Sequence, residues 1–253
     1  GLIREEDLNW IPEPIERPTI SRHYRNVSVT TLPPPAAGRT LLLVLMMLNH
    51  LPSKFLRSGK NSSYHFIAET FRKAFYHRVQ RPFNPHTYHQ IQDKLHLQRT
   101  FAKQMADSIH NRMDVTLPMT DPFFGGEDTT HLSVMDKEGN AVGITQSIEL
   151  AYGSKAAADG LGFLYNNYMS AFEFENPNHP YFIRPNAIPW TSVSPALVFH
   201  NGKLWMVLGS PGSQRIFSAV SHFISRLVDG DLPMNEAIMR PRFHCSIGDT
   251  VSI

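Results

Sequence analysis

The 253-residue sequence has a single cysteine, Cys245. That excludes a disulfide framework and a thiolate zinc site and leaves the redox compartment open; such a thiol reads as a small buried hydrophobe. Charge bias is equally scarce, with 24 basic against 22 acidic residues and a net charge of +2. So small a surplus gives no argument for a nucleic-acid or anionic-membrane partner. Long apolar runs are missing too: the longest, Leu41 to Leu48, is about half of what a membrane span requires and reads as the start of a buried helix. The opening Gly-Leu-Ile-Arg-Glu-Glu-Asp lacks an initiator Met, a basic n-region and an apolar h-region. It reads as the start of a processed or truncated product, with any export signal upstream of Gly1. Charged residues make up only 18%, which points to surface that is normally covered.

What is present is ordinary globular material: 42% apolar residues, 15 Gly and 19 Pro, in a length that suits one large domain or two small ones. Residues 1 to 39 are punctuated by proline and read as extended, ending in Pro33-Pro34-Pro35-Ala36-Ala37-Gly38, where fixed φ and missing N–H donors forbid regular helix. Helical spacing follows from Thr40 to about Leu51, from Ser63 to Val79 and from His89 to Ile109. This block carries eight Lys or Arg against two Asp between Arg72 and Arg112. The spacing of His86, His89 and His96 matches no metal-ligand motif, and no regular aromatic platform for nucleic acid accompanies them, so the block reads as a solvated basic face.

After Met119 the period changes to two. Leu132 and Val134 face Ala141 to Ile148 across Lys137-Glu138-Gly139-Asn140, and Ala196 to Phe199 face Leu204 to Leu208 across His200-Asn201-Gly202-Lys203. Both read as hairpins, because Asn-Gly supplies the positive φ that tight turns need. A helix follows from Ser213 to Val228, with Ile216, Val220, Phe223, Ile224 and Leu227 on one stripe and Asp229-Gly230-Asp231 as its stop. The order of helices, strands, helix and strand predicts an α+β protein in which helices cover antiparallel sheet.

Two places invite chemistry. Gly209-Ser210-Pro211-Gly212-Ser213 joins a strand to a helix N-terminus, where unpaired N–H groups suit a phosphate or a developing oxyanion, although the lysine and spacing of a P-loop are absent. Gly125-Gly126-Glu127-Asp128-Thr129-Thr130-His131 is a pliable approach to a strand. A hydroxyl placed there can attack its own preceding carbonyl, and the α-amine released by hydrolysis, with a reference pKa of about 7.7 to 8.0, then serves as general base.

The segment Thr129-Thr130-His131-Leu132-Ser133-Val134-Met135-Asp136, then Tyr152-Gly153-Ser154, Leu164-Tyr165-Asn166-Asn167, Ser192-Val193-Ser194-Pro195, Gly209-Ser210-Pro211-Gly212 and Arg240-Pro241-Arg242-Phe243-His244 resemble, in that order, the small subunit of the γ-glutamyltranspeptidase family. Leu32-Pro33-Pro34-Pro35-Ala36-Ala37-Gly38 resembles the Pro-rich segment of that family's large subunit, and the similarity runs from about Asp7 to Arg242. The resemblance implies an N-terminal-nucleophile hydrolase αββα sandwich, present in part, with residues 1–128 from the large subunit and 129–253 from the small one. It implies cleavage of the bond between Asp128 and Thr129, with Thr129 the nucleophile that attacks γ-glutamyl amides such as glutathione and passes the acyl group to water or an amino acid. No cofactor or metal is implied, and no nucleic acid or membrane span. The other expected partner is an upstream part of the same precursor, which completes the helical layers and supplies an arginine to the substrate carboxylate; without it, activity is expected to be weak or absent. By resemblance the location is periplasmic or secreted, with the cytoplasm left open.

Carried over position by position, Ser147 falls where the family has a threonine that bonds the nucleophile, Gly212 and Ser213 fall on its Gly-Gly oxyanion pair, and Thr191 and Ser192 fall on a Ser-Ser pair that holds the substrate α-carboxylate. Glu149 stands for an asparagine, Tyr168 for a Gln or Glu that holds substrate, and Ala171 for an aspartate that pairs with the α-ammonium. Losing such a charge-assisted partner is worth roughly 1.5 to 3 kcal/mol. Two alternatives therefore stand beside the γ-glutamyl enzyme: an acylase for non-glutamyl amides such as glutaryl side chains, and a non-catalytic binding member.

Overall fold

A computed structural model of the chain describes residues 13–80, 82–88, 97–110, 128–157 and 159–246, with residues 6, 9, 251 and 253. The Pro-rich opening holds more regular structure than its composition predicts: β1 (Ile20–Tyr24) and β2 (Val27–Thr31) form an antiparallel hairpin, turned at Arg25 with φ 53°. The signal is the alternation of Val27, Val29 and Thr31, all buried, with Ser28 and Thr30 on the other face. Helix α1 (Gly38–Leu48) is apolar around its whole circumference after Thr40, and all of its residues are buried. A short α2 (Ser53–Leu56), a long α3 (Asn61–Gln80) and α4 (Arg99–His110) follow. The helical spacing expected from His89 is borne out only from Arg99, residues 89–96 lying outside those described.

The predicted hairpins are both formed, β3 (Asp128–Met135) with β4 (Ala141–Glu149) and β5 (Ala196–His200) with β6 (Lys203–Leu208). In the second, Asn201 and Gly202 both take positive φ; in the first, Gly139 alone does, and Asp136 closes the turn by accepting from the Asn140 N–H at 2.8 Å. A 3-10 turn, Ser213–Arg215, leads into α5 (Ile216–Val228), and α6 (Met234–Met239) comes next. Among the described residues no strand follows α5, contrary to the expected order: α6 and the Arg240-Pro241 stretch occupy that place, and proline withholds a ladder donor there.

The strands make two antiparallel sheets, one ordered β1-β2-β5-β6 and one of β3 with β4. Helices α1, α3, α4 and α5 enclose the main core beside the first sheet, where the Phe71 and Phe75 rings of α3 each lie 6.2 Å from Phe217 of α5. Cys245 is fully buried in that core, as expected. The β3–β4 ribbon lies against β6: Ser133 Oγ donates to the Val207 carbonyl at 3.0 Å, and a Cβ added at Gly143 would stand 3.1 Å from Val207 Cγ1. Its far face carries Leu132 opposite Ile144 and Val134 opposite Val142, all about half exposed. Among the described residues no helix is long and apolar enough to cross a membrane.

Candidate active site

Strand β3 begins at Asp128 and runs without a break into Thr129. Its register against β4 shifts at that junction, pairing Asp128 with Glu149 and Thr129 with Ser147. Such a bulge re-aims side chains locally. The buried Thr129 hydroxyl donates to Ser147 Oγ at 3.0 Å, and Ser147 Oγ donates to the Asp128 carbonyl at 3.2 Å. Ser147 also accepts from the Glu149 N–H at 3.0 Å, so its hydroxyl is fixed from three directions. The Asp128 carboxylate accepts from the Tyr152 N–H at 2.6 Å, which holds the residue before Thr129 against the loop after β4.

Glu149 and Tyr152 both have left-handed backbone, with φ of 75° and 63°. Non-glycine residues rarely take this conformation, and such strain gathers at functional sites. Burial raises the Glu149 carboxyl pKa, opposed by a hydrogen bond from Tyr168. The Tyr168 hydroxyl meets Thr191 Oγ1 at 3.0 Å. Burial and the neighbouring Glu149 raise its pKa, while the Ser147 and Thr191 hydroxyls lower it. Thus Thr129, Ser147, Glu149, Tyr168 and Thr191 come together, with Ser192 buried beside Thr191.

The Thr191 N–H donates to the Pro35 carbonyl at 3.1 Å, and the Ala37 N–H to the Val193 carbonyl at 2.9 Å. These bonds bind the Pro-rich segment to the extended stretch that precedes β5. Gly212 and Ser213, the expected oxyanion pair, have φ of 118° and 51°. Ser213 therefore adopts a left-handed backbone despite its Cβ, a conformation that glycine takes more readily. The turn that carries them approaches β3 through Gly209, which packs on the His131 ring. Ala171 is buried, in a cavity wall with Tyr181 and Trp190.

Residue-by-residue reading of the sequence missed His131. Its Nδ1 lies 2.8 Å from Thr145 Oγ1 and its Nε2 lies 2.9 Å from Ser133 Oγ, on the face of β3 that also carries Thr129. Burial lowers its pKa. The signal available was its place two residues beyond Thr129, on the same side of a period-two strand.

The family model for Gamma-glutamyltranspeptidase matches residues 1–253. The chain is 31% identical over 262 residues to the glutathione hydrolase proenzyme of Escherichia coli (strain K12), covering 96% of this chain and 44% of that protein. It is also 31% identical over 247 residues to the acylase ACY 1 proenzyme of Pseudomonas sp. (strain V22), covering 96% and 43%. The crystal structure of cephalosporin acylase from Bacillus halodurans superposes with a TM-score of 0.79 at 21% identity over 96% of this chain and 43% of that one, which shows the shared fold. That fold is the N-terminal-nucleophile hydrolase sandwich, an α+β architecture present here in part. The chain spans less than half the length of the curated relatives it matches. Within those bounds, it belongs to the γ-glutamyltranspeptidase family.

Proposed function

We propose that the protein is part of an autoprocessing threonine amidohydrolase and acyltransferase acting on γ-glutamyl amides such as glutathione, divided into residues 1–128 and 129–253. The observation that carries this reading is the hydrogen-bonded series from Thr129 Oγ1 through Ser147 Oγ to the Asp128 carbonyl. In the uncleaved chain Thr129 Oγ1 attacks the Asp128 carbonyl carbon, and the C–N bond breaks as nitrogen takes up the proton. Water then hydrolyses the resulting ester to an Asp128 carboxylate and a free Thr129 amine.

The same hydroxyl then attacks a substrate amide, its proton passing through the new α-amine to the leaving amine. Backbone N–H groups of Gly212 and Ser213 receive the oxyanion. Water or an amino acid takes the acyl group. Thr191, Ser192, Tyr168 and Glu149 hold its far end, with an upstream part of the same precursor as the partner that completes the site.

A second reading, an acylase for amides without the α-ammonium, is favoured by Ala171, which offers an apolar wall where a carboxylate partner is expected. The name of the Pseudomonas relative, an acylase proenzyme, is consistent with it. The test has two stages. Expression of the whole chain is expected to give two fragments with Thr129 as the new N-terminus, and a wild-type chain that stays intact through long incubation overturns the mechanism. On processed protein, the second reading predicts that γ-glutamyl-p-nitroanilide turns over less readily than its analogue without the α-amino group; equal or better turnover removes that reading and supports the first.

A further inference from the structure

Three cross-strand pairs stand in succession on one face of the β3–β4 ribbon: Thr129 with Ser147, His131 with Thr145, and Ser133 with Gly143. Strand alternation puts all three on the face that packs against β6. The first pair holds the proposed nucleophile. The other two reach the strand that leads to the oxyanion turn, and the direction of their hydrogen bonds follows from one fixed end. The Val207 carbonyl can only accept, so the Ser133 hydroxyl donates to it at 3.0 Å. Ser133 Oγ must then receive the 2.9 Å bond from His131, which puts the ring proton on Nε2. That leaves Nδ1 as the acceptor for the Thr145 hydroxyl at 2.8 Å. The ring is thereby set as one neutral tautomer, in keeping with the lowering of its pKa by burial.

The ring also fills space left by two glycines. A Cβ added at Gly143 would stand 3.6 Å from His131 Cε1, and one added at Gly209 would overlap the ring. Gly209 is the first residue after β6, and only Ser210 and Pro211 separate it from Gly212. Proline fixes its own φ and restricts the residue before it, so this step has little slack. Beyond it the Arg215 N–H donates to the Gly212 carbonyl at 2.9 Å and closes the turn. A shift of the ring is therefore passed on to the N–H groups of Gly212 and Ser213. We propose that His131 is a positioning residue, which sets the spacing between the Thr129 hydroxyl and the oxyanion turn. That role rests on the amidohydrolase reading and adds a residue to it.

Three variants test it. His131→Phe keeps a ring in place and removes both hydrogen bonds, whereas His131→Gln gives up the ring and keeps an N–H for Ser133. Ser133→Ala interrupts the series at an exposed residue and leaves the ring as it is. On processed protein, with whichever p-nitroanilide turns over faster, His131→Phe is expected to lower kcat about 100-fold with KM within about twofold of the unaltered chain, the effect of a misplacement near 1 Å. His131→Gln and Ser133→Ala should each lower kcat about tenfold. A ring that serves only as packing gives the opposite order, with His131→Phe close to the unaltered chain and His131→Gln impaired. That order, or a loss confined to KM, overturns the proposal. Should His131→Phe fail to fold, Ser133→Ala decides, and an unchanged kcat overturns it. Nitrogen-15 NMR of the ring checks the tautomer without any turnover: a proton on Nδ1 near neutral pH also overturns it. An unaltered chain that stays intact at Asp128 overturns the amidohydrolase reading, and the role falls with it; cleavage and turnover there, with kcat unchanged in His131→Phe, overturn the role alone.

Discussion

The His131 ring occupies the space that a side chain on Gly209 would need: a Cβ built there would fall 2.3 Å from His131 Nδ1 and 2.5 Å from Cε1. Glycine is required here by close approach, since the turn's positive φ belongs to Gly212 and Ser213. Thr145 and Ser133 fix the ring from both sides, so it has little room to yield. Gly209→Ala is therefore expected to cost about 1–3 kcal/mol, in the range of overpacked cores. The double variant with His131→Ala should recover part of that loss. Chemical denaturation of the four proteins measures the coupling, and strict additivity would show that the ring and the glycine do not oppose each other.

Ser147 bridges the Thr129 hydroxyl and the Asp128 carbonyl. Ser147→Ala leaves Thr129 Oγ1 without its partner and is expected to slow cleavage after Asp128 by about 100-fold, within the usual range for a positioned proton-transfer group. Ser147→Thr keeps a donor and an acceptor and should cleave within about tenfold of the natural chain. Thr129→Ala should give one unbroken polypeptide. Gel densitometry over time reads all three.

Ala171 stands where the family resemblance puts an α-ammonium partner. Ala171→Asp is expected to shift the ratio of γ-glutamyl to des-amino p-nitroanilide turnover by about ten- to a hundredfold toward the γ-glutamyl compound, the worth of a charge-assisted hydrogen bond. The ratio is the useful measure, because overall packing losses affect both substrates. A ratio that does not move would place ammonium recognition elsewhere, with the half-buried Glu149 the next residue to change.

His222 predicts an acid-sensitive core. Its ring lies 4.6 Å from Phe243 and 5.0 Å from Phe71, and burial with the nearby Arg226 pushes its pKa down to about 3. A depressed value means that the unfolded chain takes up the proton first. The stabilising contribution is whole above pH 6.5 and is lost as pH falls toward 3, at about 1.4 kcal/mol per pH unit. His222→Phe, which keeps the ring contacts, should flatten the dependence of the urea midpoint between pH 6 and 4. An unchanged slope would assign the acid sensitivity to other groups.

Much of this architecture is legible in the residues. Helices α1, α3 and α5 follow their apolar spacing, and the Asn201-Gly202 turn sets a hairpin as its dihedral preference demands. Strand β1 is harder to read, because Ile-Ser-Arg-His-Tyr beside so many prolines shows little apolar period until pairing with β2 closes the hairpin. The site is less legible again. Thr129 and Ser147 meet because strand register puts them opposite each other, which a hairpin pattern nearly supplies. Tyr168 and Thr191 are 23 residues apart and meet only through a 3-10 turn and a loop. His131 lies inside a recognisable motif, but its purpose depends on Gly209, which approaches from another strand.

The two-stranded ribbon has a final consequence, for the order in which the molecule comes apart. Among the described residues β3 pairs with β4 alone, whereas β2 and β5 each have neighbours on both sides. A lone pair of strands is marginal in water, and here only one of its faces packs on the other sheet. Backbone amides of β3 should therefore exchange with deuterium well before those of β2. The strand that bears Thr129 is then the soft element of a firm scaffold. Gentle heating should disorder the backbone around Asp128 and Thr129 while the helical core still gives its native circular dichroism.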